Sequence, residues 1–304
     1  MKIINIVLNL QRESLIMSNK ILSIDVGGTK TLICVFDTNL KILTSKLLST
    51  HDYLKGMTQD LDNLFRFIKN ILDEDDYHTI GVSFKGNVTS DHILFASLLG
   101  GKINVDVKKL IKKHFKFRRF IIDNDVFCMA KAEKKYGVGT RVKNFLLINV
   151  GTGLRLVNVI DGRIHRGYSN LAGEIGYKEV WEKITKTNQY FNDLVSGGGL
   201  NKLSIQLNGR DLSAKDIFST NMTGLIEIFI YYVTELLIEA TLYLNPEVVV
   251  FTGSLTKSYK RWLPEVIKRY NEKVFPDIVK PKQITVSKLK NSASLGAILY
   301  NKFV

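Results

Sequence analysis

Two stretches about 120 residues apart read alike, and that repetition limits the folds open to this chain. Residues 20–38 run as an apolar strand, a glycine turn, a second apolar strand and an aspartate, and residues 144–161 do the same. The first copy is Ile21–Val26, then Gly27-Gly28-Thr29-Lys30, then Thr31–Asp37. The second is Phe145–Val150, then Gly151-Thr152-Gly153, then Leu154–Ile160 ahead of an Asp161-Gly162 turn. Apolar runs joined by glycine-rich tips are hairpins. Strand-like runs elsewhere alternate with helical stretches, which marks an α/β protein. A duplicated unit predicts two related α/β lobes with a boundary near residues 124–142. Two such glycine turns facing each other across a cleft would grip one nucleotide from both sides.

The rest of the chain supplies the other elements. Apolar spacing predicts helices near 56–72, 222–244, 256–272 and 292–301. Further strands are predicted at 79–83, 120–122, 248–251 and 283–287. The most apolar segment, Leu225–Leu244, is interrupted by Glu227, Glu235 and Glu239 and is followed by Asn245-Pro246, so it reads as a buried helix. No apolar run approaches the ~18 residues that span a bilayer, and no membrane partner is expected.

The net charge of +14, from 43 Lys+Arg against 29 Asp+Glu, draws anionic ligands such as nucleotides. The densest basic runs, Lys108–Lys116 and Arg118–Arg119, read as solvated faces, and no nucleic-acid partner is expected. The 2 cysteines, Cys34 and Cys128, lie in apolar segments, and the 5 histidines are scattered. That pattern fits a reducing, cytoplasmic setting and argues against a structural zinc site. Residues 1–17 precede a second methionine and lack the apolar core of a signal peptide. Residues 1–20 therefore read as a mobile extension ahead of the fold.

The turn at 25–30 carries chemistry of its own. Its glycines expose backbone N–H groups that can cradle anionic oxygens. Thr29 adds a hydroxyl, Lys30 a cation, and Asp25 a carboxylate suited to hydrated Mg²⁺. An ordinary tight hairpin accounts for the same residues. Asp123-Asn124-Asp125 falls where a strand gives way to a helix, a place that suits either a helix-capping carboxylate or a general base.

The ordered set of motifs resembles the ROK family of sugar kinases, within the actin/Hsp70/hexokinase superfamily. It comprises D-V-G-G-T-K at 25–30, D-N-D at 123–125, G-T-G at 151–153, L-A-G-E-I-G at 171–176, S-G-G-G at 196–199 and T-G-S at 252–254. The resemblance implies a two-lobed actin-like, ribonuclease-H-like ATPase fold with a cleft between the lobes. The expected lobes are 21–124, joined by a C-terminal helix at 291–304, and 125–290. It implies ATP- and Mg²⁺-dependent phosphorylation of a sugar hydroxyl, with Asp125 as general base. Asp25, Gly27, Gly28, Thr29, Lys30, Gly151, Thr152, Gly153, Gly197, Gly198, Gly253 and Ser254 would serve ATP and its phosphates. Asn124, Asp125, Glu174, Tyr177 and Gly86 would meet the sugar. A homodimer is expected from the family. The ROK repressors carry an added N-terminal DNA-binding domain, and about 20 residues before Ile21 are too few for one, which favours the kinase branch.

The departures bear on the acceptor. Tyr177 stands where many members have a zinc-binding histidine, and no cysteine follows Cys128, so a zinc-free member is implied. Lys85 replaces a proline before Gly86, and Leu98 replaces a sugar-binding asparagine. Arg155 stands in place of a glycine run, with two readings open: it meets an anionic group, or it points to solvent. An active kinase for a hexose, an N-acetylhexosamine such as N-acetylmannosamine, or a glucoside is expected. The alternative is a kinase-fold sensor of sugar or nucleotide with little turnover.

Overall fold

The computed structural model describes residues 19–275 and 277–299; most of the extension expected over 1–20, and the end of the helix expected over 292–301, lie outside them. The described chain divides into two compact units. One runs up to Met129 and resumes at Asn291, and the other is Ala130–Lys290.

In the first unit, β1 (Ile21–Val26) and β2 (Lys30–Phe36) form the expected antiparallel hairpin. With β3 (Ile42–Ser49), β4 (Asp76–Phe84) and β8 (Lys116–Asn124) they build a five-stranded sheet of order β3-β2-β1-β4-β8. Strand β1 pairs parallel to β4, and β4 parallel to β8. Helix Gln59–Leu72 covers this sheet with Leu61, Leu64, Phe65 and Ile68, all buried. Their spacing of three and four residues is one helical face. Between β4 and β8 lies a three-stranded meander of β5 (Asn87–Thr89), β6 (His92–Ala96) and β7 (Gly101–Asp106). Register shifts at Asn87/Val88 and Ile93/Phe95 break the alternation that would have announced these strands.

In the second unit, β9 (Phe145–Val150) and β10 (Leu154–Ile160) are the second hairpin. They join β11 (Arg163–Ile164), β14 (Val248–Thr252) and β15 (Gln283–Val286) in the order β11-β10-β9-β14-β15. A separate hairpin joins β12 (Glu179–Glu182) to β13 (Thr187–Tyr190). In both five-stranded sheets, therefore, the first strand of a hairpin is central, with its partner on one side and a parallel strand on the other. The register repeats as well. Asp25 lies opposite Ser83 of β4, and Asn149 opposite Thr252 of β14.

Helix Thr223–Leu244 is the expected buried helix and anchors the second core. The single helix expected over 256–272 is instead a 3₁₀ segment, Ser254–Arg261, followed by helix Leu263–Lys273. Pro264 explains the break: its ring would clash with the preceding turn, so it starts a helix rather than continuing one. Trp262, at the junction, is fully buried, edge-on to Phe229 at 5.4 Å and Phe251 at 5.3 Å. No helix of the described residues is long and apolar enough to cross a membrane.

Helix Ser292–Ala297 packs on the first unit's sheet, and the Ser23 hydroxyl donates to the Ser294 carbonyl at 2.9 Å. A β-carbon on Gly296 would lie 1.7 Å from the Cys128 carbonyl oxygen, and one on Gly81 would lie 2.5 Å from that of Ala297. Both obstacles are backbone and cannot swing aside. Gly296→Ala is expected to push this helix away from helix Asp125–Tyr136, which carries Cys128, and to lower stability by roughly 1–3 kcal/mol, read as a fall in Tm.

Candidate active site

The tip of the first hairpin is held from inside and out. Gly27 N–H donates to the Lys30 carbonyl at 3.0 Å and closes the turn. Thr50 N–H donates to the Thr29 carbonyl at 3.0 Å, and the Thr50 hydroxyl to the Gly27 carbonyl at 3.0 Å. Gly28 is half-buried at the tip, with Thr29 and Lys30 exposed beside it. The result is a braced turn whose glycine amides, hydroxyl and cation suit a phosphate group.

Asp25 is the next-to-last residue of β1, and its Oδ1 accepts from the Ser83 hydroxyl at 2.6 Å. Burial pushes its carboxyl up to about 7; the Ser83 hydrogen bond opposes this, and the charge of Asp125 adds to it. Asp25 and Asp125 therefore sense each other within the first unit.

Asp125 is the first residue of helix Asp125–Tyr136, directly after β8. Capping of that helix falls to its neighbour. Asn124 Oδ1 accepts from Val126 N–H at 3.0 Å and Phe127 N–H at 3.3 Å, while its Nδ2 donates to the Gly86 carbonyl at 2.9 Å. Asn124 is buried, and these three bonds tie the start of the helix to Gly86. Gly86 is needed where β6 crosses it: a β-carbon there would lie 2.5 Å from the Phe95 carbonyl oxygen. Leu98 packs against the first core.

The second unit gathers its glycine turns in one place. Gly151 N–H donates to the Gly153 carbonyl at 3.0 Å, and Gly197 N–H to the Gly151 carbonyl at 2.8 Å. Gly198 N–H donates to the Thr152 carbonyl at 3.4 Å, and Ser196 Oγ accepts from Gly199 N–H at 3.0 Å. The start of helix Gly197–Asn208 is thus sewn to the turn at 151–153. Gly197 and Gly198 contribute shape there, since their amides already have protein partners. Gly253 has φ +95°, and a β-carbon on it would lie 2.6 Å from the Val150 carbonyl oxygen; exposed Ser254 follows.

Asn149 was not foreseen from the sequence. It occupies the second copy's equivalent of Asp25, and its Oδ1 is buried with no hydrogen-bond partner among the described residues. Aligning the two hairpins residue by residue would have found it.

Glu174 precedes a 3₁₀ turn, Ile175–Tyr177, and is half-buried. The open question about Arg155 has a definite outcome: it is 5% exposed and places Nη1 2.9 Å from Glu174 Oε1. Tyr177 is 68% exposed. Among the described residues, no group of three or more His, Cys, Asp or Glu is placed to hold a metal ion.

Residues 21–302 match the family model described as ROK family. The N-acetylgalactosamine kinase AgaK of Shewanella sp. (strain ANA-3) is 26% identical over 258 residues, covering 77% of this chain and 81% of that protein. The xylose repressor of Bacillus spizizenii is 21% identical over 268 residues, covering 82% of this chain and 69% of the repressor. Among solved structures, a ROK family glucokinase from Streptomyces griseus in complex with glucose and AMPPNP superposes with a TM-score of 0.75 at 17% identity, covering 92% of this chain and 98% of that one. The likeness shows a shared fold, the actin-like two-lobed α/β architecture.

Proposed function

The chain belongs to the ROK family, and on that premise we propose that it transfers the terminal phosphoryl group of ATP to a sugar hydroxyl. The observation that carries this reading is the setting of Asp125. It stands at a strand-to-helix junction with the capping done by Asn124, in electrostatic contact with a second carboxylate, Asp25. A carboxyl raised by burial beside a second carboxylate, as Asp25 is, is the kind of group that gathers at functional sites. The kinases among the relatives, for N-acetylgalactosamine and for glucose, support the same class of reaction.

Phosphoryl transfer is mainly a matter of positioning and charge. Asp125 accepts the proton of the acceptor hydroxyl as that oxygen attacks phosphorus. The braced turn at 27–30 and the turn at 151–153 hold phosphate oxygens, while Gly197, Gly198, Gly253 and Ser254 shape the nucleoside side. Glu174 accepts hydrogen bonds from sugar hydroxyls, with Tyr177 at the rim. Asp25 suits Mg²⁺: a buried carboxylate that resists ionisation alone is stabilised by a cation, and Mg²⁺ takes few protein ligands when phosphates and waters supply the rest. When bound, the ion neutralises charge on the phosphates. The acceptor we favour is an N-acetylhexosamine, because apolar Leu98 suits an acetyl group better than a hydroxyl. The setting is cytoplasmic, and the assembly a homodimer without zinc.

ADP release with Mg-ATP across hexoses, N-acetylhexosamines and β-glucosides tests this. One sugar that stimulates release at least tenfold supports a kinase and names its acceptor. ATP binding without release for any sugar would favour a sensor, a reading that the altered residues Leu98 and Tyr177 keep in view.

A further inference from the structure

We infer that Arg155 is a positioning residue for the acceptor sugar: it holds Glu174, and the loop that carries it, in the geometry that meets sugar hydroxyls. The inference rests on the reading of Glu174 as a sugar contact.

Three observations point to it. The first is place. Arg155 lies opposite Asn149 in the β9/β10 register, whereas the first hairpin puts Leu32 opposite Asp25. The duplicated fold therefore accommodates an apolar residue here and does not need a cation for its own sake. The second is reach. Arg155 Nη1 meets Glu174 Oε1 at 2.9 Å, while Nη2 donates to the Asn170 carbonyl at 3.0 Å and the Ala172 carbonyl at 3.5 Å. One guanidinium thus spans the segment from 170 to 174. The third is the seal beside it. Gly173 N–Cα geometry is left-handed at φ +85°, a β-carbon there would lie 2.0 Å from the Leu156 carbonyl oxygen, and Leu156 N–H donates to the Gly173 carbonyl at 2.9 Å. The loop hangs on β10 at two consecutive residues.

The physical consequence is preorganisation. A glutamate on a turn has three side-chain torsions to order on binding, and that ordering opposes binding. A buried planar fork that grips the carboxylate and neighbouring carbonyls orders it beforehand. A lysine supplies the charge without the fork.

The test is a cycle of Arg155→Met, Arg155→Lys, Glu174→Gln and the Arg155→Met/Glu174→Gln double variant. Steady-state kinetics use Mg-ATP with N-acetyl-D-glucosamine, N-acetyl-D-mannosamine and D-glucose. Arg155→Met is expected to raise KM for the accepted sugar tenfold or more, with KM for Mg-ATP and sugar-independent ATP hydrolysis within twofold of wild type. Arg155→Lys is expected to fall between the two. The double variant is expected to match Glu174→Gln alone, because both changes remove one function. An unchanged sugar KM in Arg155→Met overturns the inference, as does a double variant whose loss is the product of the single losses. If Arg155→Met does not fold, an unchanged sugar KM in Arg155→Lys overturns it in the same way. If Glu174→Gln alone leaves sugar KM unchanged, the reading of Glu174 fails and this inference with it. A wild type silent with these three sugars and with the β-glucosides of the wider panel overturns the kinase reading beneath both.

Discussion

Asp125→Asn is expected to lower the rate of sugar phosphorylation by 10²–10⁴-fold, the usual worth of a positioned general base, while ATP binding persists. The substitution is nearly isosteric and leaves the helix start intact, because Asn124 caps it through Val126 and Phe127. Folding is therefore not at issue, and a fall in turnover reports on chemistry. The measurement pairs ADP release, at saturating sugar, with nucleotide binding by calorimetry. A variant with near-normal turnover would remove Asp125 as the base. A variant that had lost nucleotide binding too would point to a role in holding ATP.

Asp25→Asn is expected to make the metal-free protein more stable and the enzyme inactive. Asp25 has a carboxyl raised from 3.8 to about 7 by burial, with the Asp125 charge adding to it. In the folded state it binds its proton more tightly than in the unfolded chain. Its burden on stability is thus absent below about pH 4, grows as pH rises through the interval between 3.8 and about 7, and is fully present above that. At 1.36 kcal/mol per pH unit the interval corresponds to an upper figure of roughly 4 kcal/mol. An asparagine has no charge to desolvate, and its amide oxygen still accepts from Ser83. Thermal unfolding in EDTA at pH 8 is expected to show a higher Tm for Asp25→Asn than for wild type, with the gap closing toward pH 4. Equal Tm values at pH 8 would show that the buried carboxylate carries no such burden. Loss of activity alongside the gain in Tm is the expected signature of a carboxylate kept for function at the expense of stability.

Much of the architecture was legible in one dimension. The hairpins at β1/β2 and β9/β10, the buried helix at Thr223–Leu244 and the position of Asp125 at a strand-to-helix junction all follow from apolar period, glycine and proline. These are local signals, set by backbone sterics and by which side chains leave water together. The meander of β5–β7 was not legible, because register shifts scramble the alternation that a strand normally shows. Nor was the break at Trp262, where Pro264 and a buried indole override a helical pattern.

The candidate site divides along the same line. The residue types and their order single out Asp25, Asp125, Glu174 and the glycine turns. Their employment depended on neighbours distant in sequence. Asn124 is tied through its amide nitrogen to the carbonyl of Gly86, 38 residues away. Arg155 had two open readings until Glu174 met it across 19 residues of chain. The amides of Gly197 and Gly198 are engaged by the carbonyls of Gly151 and Thr152, some 46 residues earlier in the chain. By itself, then, the sequence determined the hairpins, the repeat and the inventory of reactive groups, because these rest on local conformational preference. Only the tertiary structure decided which of those groups are engaged within the protein, because hydrogen bonds and ion pairs between distant segments exist only once the chain has brought them within 3 Å or so of each other.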